Sequence, residues 1–187
     1  MPNVCVLLAN GFEEIEAVTI IDLLRRADVE VTMIAIEGGD EGAPIDDGSH
    51  GISVQADTTL PASDDREWDM VILPGGLPGA TNLRDHPQVQ ALIKRQHAGG
   101  RGLAAICAAP IALGAAGVLK GLRATSYPGF ESELIGAKLA EERVVRDENV
   151  VTSRGVGTAI DFTLAIVSEL RGTKIASDLG SKLLVNA

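Results

Sequence analysis

Uninterrupted apolar runs alternate along the chain with stretches in which apolar residues recur every three or four positions. The run Val4–Ala9 is apolar throughout, which is typical of a strand that is buried on both faces. Similar patterns predict three more buried strands, Glu30–Ile36, Asp69–Leu73 and Gly102–Ile106. Because a parallel sheet covered by helices buries both faces of its strands, these runs favour that arrangement.

Helices are predicted between the strands. The segment Glu13–Ala27 has apolar residues at helical spacing, acids in its first turn and two arginines in its last, which suits the helix dipole. Four further helices are predicted: one beginning at Pro87, Ala108–Leu119, Lys174–Leu184, and one from Thr158 to about Leu170. In the last of these, Thr158 and Asp161 have the spacing of a capping box.

The remaining pattern predicts loops and short ribbons. Glu37–Asp47 is rich in glycine and aspartate and is expected to be a loop. A half-exposed ribbon is indicated by the alternating apolar residues Ile52, Val54 and Ala56, and an antiparallel pair by Arg143–Val145 and Val150–Thr152. Together the elements predict one α/β domain over residues 1–187, with a doubly wound, mostly parallel sheet and helices on both faces. The order of the strands is not readable from the pattern.

Composition narrows the function classes. The 187 residues include 16 Lys and Arg against 26 Asp and Glu, a formal net charge of −10, so nucleic acid and membrane surfaces are not expected partners. Aromatic residues make up 3% of the chain and leave few rings for a stacking platform. The first apolar run is too short for a signal peptide or a membrane span, and two cysteines cannot form a disulfide framework. We expect a soluble, cytoplasmic protein with reduced thiols.

Motifs for common cofactors do not occur in the sequence. Gly11 is the single glycine after the first strand, where a dinucleotide site would have G-x-G-x-x-G. A Walker motif and clustered His/Cys spacing for a metal are also missing. We therefore expect no cofactor and no metal, and any chemistry must come from side chains and backbone groups.

Cys107 is the strongest candidate for chemistry. It directly follows a predicted strand and precedes a predicted helix, with small residues around it, as in a nucleophile elbow. The nearby helix N-terminus would favour the thiolate and lower the pKa of the thiol. The alternative is a buried cysteine that serves as a small apolar residue, which is our interpretation of Cys5 in the middle of its strand.

Two other strand ends would lie near this cysteine, because ligands in doubly wound sheets bind beyond the carboxyl ends of the strands. The segment Gly75–Gly79 would direct backbone N–H groups into an oxyanion hole, or would be an ordinary glycine turn. Glu16 shares a helical stripe with Ile20 and is expected to face the interior, where burial raises the pKa of a carboxyl. Glu13 and Glu14 are interpreted simply as acids at a helix N-terminus.

The histidines restrict the chemistry that is available. His50 lies in a glycine-flanked turn, and His86 and His97 have ordinary surface or helix-end interpretations. No histidine follows Cys107, so a triad in the order of the nucleophile-elbow hydrolases is not available. Residues 154–158, which begin with Arg154, would either hold an anion at the start of a helix or simply provide the capping residue Thr158.

The sequence resembles the DJ-one branch of the ThiJ/PfpI superfamily. The similar stretches occur in order along the chain and are Gly11–Glu16, Leu73–Gly76, Ala104–Pro110 and Thr152–Thr158. The resemblance implies a flavodoxin-like fold and a homodimer. It further implies that Cys107 is the nucleophile, that Glu16 is the acid hydrogen-bonded to its sulfur, and that Gly75, Gly76 and Ala108 are the oxyanion donors.

Members of this superfamily are credited with cofactor-independent conversion of methylglyoxal to lactate, deglycation, peroxide sensing and chaperone action. Ala108 stands where the protease branch has histidine after the cysteine, so proteolysis is not expected. Some relatives have a histidine where this chain has Tyr127, before Pro128, and Tyr127 is a substitute hydrogen-bond donor. We keep Tyr127, His50 and Arg154 as further candidate site residues.

The residues and the resemblance together predict a cysteine-dependent enzyme of the glyoxalase III or deglycase type. Its substrate would be a small reactive aldehyde such as methylglyoxal, or an early glycation adduct. The alternative is a peroxide-responsive sensor or redox-regulated chaperone that uses the same cysteine.

Overall fold

The computed structural model describes residues 1–36, 45–60 and 66–185. The strands are β1 (Asn3–Leu8), β2 (Glu30–Ala35), β3 (Ile45–Asp47), β4 (Ser53–Gln55), β5 (Thr58–Thr59), β6 (Met70–Leu73), β7 (Gly102–Ile106), β8 (Arg123–Ala124), β9 (Lys138–Leu139), β10 (Val144–Asp147) and β11 (Val150–Ser153). Seven of them form one sheet in the order β10-β11-β7-β6-β1-β2-β5, and the pairs β3-β4 and β8-β9 lie outside it.

Helices cover both faces of this sheet. They are α1 (Glu14–Arg26), α2 (Gly79–Asp85), α3 (Pro87–Ala98), α4 (Pro110–Ala115), α5 (Ala159–Arg171) and α6 (Thr173–Lys182), with 3-10 turns at Glu131–Glu133 and Val156–Thr158. Buried side chains of α1, α5 and α6 pack on one face, and those of α2, α3 and α4 on the other. Within residues 1–36, 45–60 and 66–185, no helix combines the length and apolar character that a bilayer crossing requires.

The predicted fold class is confirmed, and β1 shows its physical basis. Val4, Val6 and Leu8 belong to the core under α1, α5 and α6, whereas Cys5 and Leu7 belong to the opposite core. All five side chains are fully buried because alternate residues of a strand point to opposite faces. A strand in this position cannot carry a polar side chain on either face without burying it, and this accounts for the uninterrupted apolar run.

The strand order places the end of β1 at the switch point of the sheet. The pairs β1·β2, β1·β6, β6·β7 and β7·β11 are all parallel, and β10 is the antiparallel edge strand. Taken in chain order, the central strands follow the 2-1-3-4-5 arrangement of flavodoxin-like folds. The loops after β1, β6, β7 and β11 therefore meet at one edge, as the predicted grouping of strand ends requires.

Most predicted elements are confirmed, but three expectations need correction. The helix predicted over Ala108–Leu119 is only Pro110–Ala115, and turns flank it. The loop predicted over Glu37–Asp47 lies mostly outside the described residues, and its last three residues form β3, which pairs with β4. α2 was not predicted, since its sequence GATNLRD has few residues that favour a helix.

The predicted capping box at Thr158 and Asp161 does not form. Thr158 precedes α5 without capping it, because its hydroxyl is bonded to the Gly155 carbonyl at 2.8 Å and accepts from the Gly155 N–H at 3.1 Å. Asp161 instead accepts a hydrogen bond from the Arg143 side chain at 2.8 Å. Tertiary partners on the preceding turn and on the segment before β10 outcompete the local cap.

Candidate active site

Cys107 lies at the end of β7 with its backbone in the left-handed region, at φ 63°. For a residue other than glycine this conformation costs about 1–2 kcal/mol, and neighbouring strands hold it in place. The Cys107 N–H donates to the Ser153 carbonyl at 3.0 Å, and its own carbonyl accepts from the Tyr127 N–H at 2.8 Å. The tight turn predicted from the small residues around Cys107 is therefore present.

Glu16 lies fully buried in the first turn of α1, beside Cys107. Its Oε2 accepts the Gly75 N–H at 2.9 Å, and its carboxyl also interacts with the Cys107 thiol. Burial raises the pKa of Glu16 to about 7 and the charge of Glu13 adds to the rise, while the Gly75 N–H and the thiol oppose it. The predicted interior position and raised pKa are both found.

The pKa of the Cys107 thiol is raised, not lowered as the sequence predicted. Burial raises its pKa to about 12, and the negative charge of Glu16 contributes in the same direction. The N–H groups of Gly76, in the loop after β6, and of Ala108, just before α4, do lower the pKa, but burial outweighs them. Burial therefore opposes ionisation of both the thiol and the carboxyl.

Gly75 has no room for a side chain. A Cβ at this position would lie 2.5 Å from the Cβ of Cys107 and 2.7 Å from Oε2 of Glu16. Because the Gly75 N–H is bonded to Glu16, the suggestion that it stabilises an oxyanion needs correction. It positions the carboxylate instead. Gly76 and Ala108 are the two suggested donors whose N–H groups are directed at the sulfur.

The loops after β1 and β6 pack against each other through glycines. Gly76 adopts φ 90°, and a Cβ there would lie 2.3 Å from the backbone nitrogen of Glu13. The Glu13 N–H donates to the Gly75 carbonyl at 2.8 Å, which joins the start of α1 to the loop that faces Cys107. The glycines after β6 are therefore required by close backbone approach, not by the turn alone.

A cavity of about 910 Å³ opens above the cysteine. Cys107, Ala108 and Gly76 line it together with all three further candidates, which are Tyr127, His50 and Arg154. Glu16 and Gly75 are not among its lining residues, so the carboxyl lies behind the sulfur. The site thus has a thiol at the surface of the cavity and a buried carboxyl beside it.

Glu14 has a more specific role than the helix-terminal acid that we expected. It is nearly fully buried and accepts from the His50 N–H at 2.5 Å, from the Ser49 hydroxyl at 3.3 Å and from the Ile52 N–H at 3.4 Å. Its Oε2 also lies 2.9 Å from Nδ1 of His50. Burial alone would raise the pKa of Glu14, but these hydrogen bonds lower it to about 2. Glu14 therefore anchors the turn that forms one wall of the cavity.

Arg143 is a cavity residue that sequence reasoning missed. It lies before β10, and its guanidinium donates to Asp161 at 2.8 Å and to the Gly157 carbonyl at 2.7 Å. The pairing spans 18 residues, so no local pattern indicates it. The Glu14 contact to the turn at residues 49–52 was equally hidden, although a histidine in a turn and an acidic helix start are complementary in charge.

The raised pKa of Glu16 makes the free energy of unfolding depend on pH. Between about pH 4.5 and 7 the unfolded chain has lost this proton and the folded chain keeps it, so stability falls as pH rises. Relative to Glu16→Gln, the wild type should lose about 3 kcal/mol between pH 4.5 and 7.5. Urea unfolding at several pH values measures this, with Glu30→Gln as a control for removing one charge. A difference between Glu16→Gln and wild type that does not change with pH would contradict the burial of an ionisable acid.

Three known proteins show what this arrangement is similar to. DJ-1 homolog A of Arabidopsis thaliana is 40% identical over 186 residues, and this chain spans about half the length of that relative, 46%. A deglycase of Pyrococcus horikoshii is 33% identical over 154 residues, which are 81% of this chain and 89% of the relative. The oxidized DJ-1 structure of Toxoplasma gondii superposes with a TM-score of 0.92 at 37% identity, covering 98% of each chain.

The family model described as the DJ-1/PfpI family matches residues 2–169. This match spans every strand of the central sheet and all four segments on which the resemblance was based. The chain therefore belongs to the DJ-1/PfpI family.

Proposed function

We propose that the chain is a cysteine-dependent, cofactor-independent enzyme that acts on α-oxoaldehydes such as methylglyoxal, or on their early adducts with amines and thiols. The observation that carries the proposal is the pairing of Cys107, at the floor of a cavity, with a buried carboxyl whose pKa is near neutrality. A base with a pKa close to the working pH is best suited to accept and return protons. The similarity to a deglycase at 33% identity supports the same reaction class.

In the first step, the sulfur of Cys107 adds to the aldehyde carbon while the thiol proton passes to the carboxylate of Glu16. The pKa order favours this concerted route, since a free thiolate is costly where burial raises the thiol pKa to about 12. The aldehyde oxygen becomes an oxyanion of a hemithioacetal. The N–H groups of Gly76 and Ala108 bond the sulfur in the resting site. The new oxygen is two bonds from that sulfur, and in this mechanism the same N–H groups donate to it and stabilise it.

The second step moves a hydrogen between carbons. Glu16 first gives the thiol proton to the hemithioacetal oxygen and is a carboxylate again. It then removes the proton on the former aldehyde carbon, the hydroxyl proton passes to the former ketone oxygen to give an enediolate, and Glu16 returns its proton to the neighbouring carbon. The aldehyde carbon is thereby oxidised to a thioester and the ketone carbon reduced to an alcohol, so no external redox partner is needed. Water then cleaves the thioester, which releases lactate and restores the thiol.

Lactate formation from methylglyoxal without glutathione tests this mechanism. Cys107→Ala should reduce turnover to background, and Glu16→Gln should reduce it by about 10²–10⁴-fold, because the proton carrier is lost. Cys5→Ala is the matched control, since Cys5 is fully buried in β1 and has no part in the steps above. Lactate is followed directly because thiols bind aldehydes reversibly, and normal turnover by Cys107→Ala would refute the mechanism.

Peroxide sensing is a second candidate function, and one contrast between the two cysteines favours it. Cys107 is half-buried and borders the cavity, whereas Cys5 is fully buried and burial raises the pKa of its thiol. One equivalent of peroxide oxidises the Cys107 thiol to a sulfenate with release of water, and a second gives the sulfinate. The Toxoplasma gondii relative is described as oxidized.

Mild peroxide treatment followed by peptide mass spectrometry tests the second function. Cys107 should gain two oxygen atoms while Cys5 stays unmodified, and the N–H groups of Gly76 and Ala108 would bind the sulfinate oxygens. If both cysteines oxidise at the same rate, the site gives no selectivity and this function fails.

We also propose that the chain forms a homodimer through α1 and the start of α5. Ile15 and Val18 lie three residues apart on α1 and are exposed, as are Ile160 at the start of α5 and Val156 in the 3-10 turn before it. Helices α1 and α5 pack together, so their exposed apolar residues contribute to one side of the molecule.

Val18→Asp combined with Ile160→Asp should convert a dimer to a monomer in sedimentation, and Leu139→Asp, which alters an exposed leucine on β9, should not. A monomeric wild type would contradict the proposal.

A further inference from the structure

The cavity is larger than methylglyoxal requires. Its volume of about 910 Å³ is near the upper end of the roughly 300–1,000 Å³ typical of sites for drug-sized ligands. A three-carbon dicarbonyl at Cys107 would leave most of this space unfilled. The side chains along the remaining wall therefore determine which larger α-oxoaldehydes fit.

Cations dominate that wall, although the chain as a whole has a net charge of −10. The charged side chains that line the cavity are those of Glu13, His50, Arg143 and Arg154. Hydrogen bonding to Glu14 and the charges of Glu13 and Glu14 raise the pKa of His50. Glu13, Glu14 and Asp161 offset the charges of His50 and Arg143, so the remaining cation of this wall is Arg154.

Salt bridges distinguish Arg154 from the other cations. His50 Nδ1 lies 2.9 Å from Glu14 and 3.6 Å from Glu13, and Arg143 is paired with Asp161 at 2.7 Å. Among residues 1–36, 45–60 and 66–185, Arg154 has no carboxylate within 4.0 Å. One of its N–H groups donates to the Glu141 carbonyl at 3.3 Å, so most of the five donors of the guanidinium stay available.

The position of Arg154 along the chain places it next to the reacting sulfur. The preceding residue, Ser153, accepts the backbone N–H of Cys107 at 3.0 Å. The following residue, Gly155, is so close that a Cβ on it would lie 3.9 Å from the sulfur. Arg154 thus lines the cavity between two residues that lie against Cys107, and it also borders a smaller cavity of about 170 Å³ next to Glu141.

We propose that Arg154 determines substrate specificity by binding an anionic group, phosphate or carboxylate, at the far end of an α-oxoaldehyde. The planar guanidinium fork matches either group and binds it with two parallel hydrogen bonds. The proposal rests on the attack of Cys107 on α-oxoaldehydes described above, and it names the substrate class for that site. The phosphate ester of hydroxypyruvaldehyde and 4,5-dioxopentanoate represent the two anions, and each would give its 2-hydroxy acid by the same balanced steps.

Alkylation of Cys107 tests the anion recognition independently of turnover. Iodoacetate and iodoacetamide attack the same thiol and have similar size, but only iodoacetate is negatively charged. Removing a charged hydrogen-bond donor in Arg154→Gln should lower the ratio of the iodoacetate rate to the iodoacetamide rate about tenfold. Arg146→Gln is the matched control, because Arg146 lies on β10, is paired with Glu169 and does not line the cavity. Inorganic phosphate should slow the labelling in wild type and not in Arg154→Gln.

Turnover of the three substrates then separates the two proposals. The wild type should have a higher kcat/KM for the anionic aldehydes than for methylglyoxal, and Arg154→Gln should lower the ratio of these two kcat/KM values about 10- to 100-fold. The better of the two anionic substrates shows which anion is recognised. An equal alkylation ratio in wild type and Arg154→Gln would overturn the role of Arg154. A normal Arg154 effect on labelling without any turnover of the three substrates would refute the proposed enzyme and leave the anion site standing.

Discussion

The burial of one carboxyl beside one thiol is the constraint on which the rest of the site depends. Glu16 has no exposed surface, and its carboxyl is stabilised by the Gly75 N–H and by the Cys107 thiol. Burial outweighs these two contacts and raises the pKa of Glu16, and burial together with the charge of Glu16 raises the pKa of Cys107. Each group thus opposes the ionisation of the other.

Geometry for this pair comes from the sheet. Cys107 follows β7, Gly75 follows β6 and Glu16 follows β1, and these three strands are neighbours with parallel register. Their carboxyl ends therefore lie side by side at one edge of the sheet, where the side chain of Glu16 can contact Gly75 and Cys107. The left-handed turn at Cys107 is held by hydrogen bonds to Ser153, the last residue of β11, and to Tyr127.

Sequence reasoning recovered what depends on periodicity and on position at strand ends. The apolar runs around Val4–Ala9 and Gly102–Ile106 identified buried parallel strands, and the residues at their ends identified Cys107 and Glu16. It could not recover pairings between distant segments, such as Glu14 with His50 or Arg143 with Asp161, because no local pattern specifies them. The balance between burial and helix N–H groups at Cys107 was also misjudged, since only the packed structure shows how far the thiol is removed from water.

The glycine contacts after β6 have a consequence for how substitutions can change the cavity. A Cβ at Gly75 would overlap Cys107 and Glu16, and a Cβ at Gly76 would overlap the backbone of the loop after β1. Neither glycine can therefore be replaced without disturbing the packing around the thiol and the carboxyl. Leu77 and Tyr127 border the same cavity, and half of the surface of each is exposed. Substitutions at these two positions can alter the shape of the cavity while the glycine contacts stay the same.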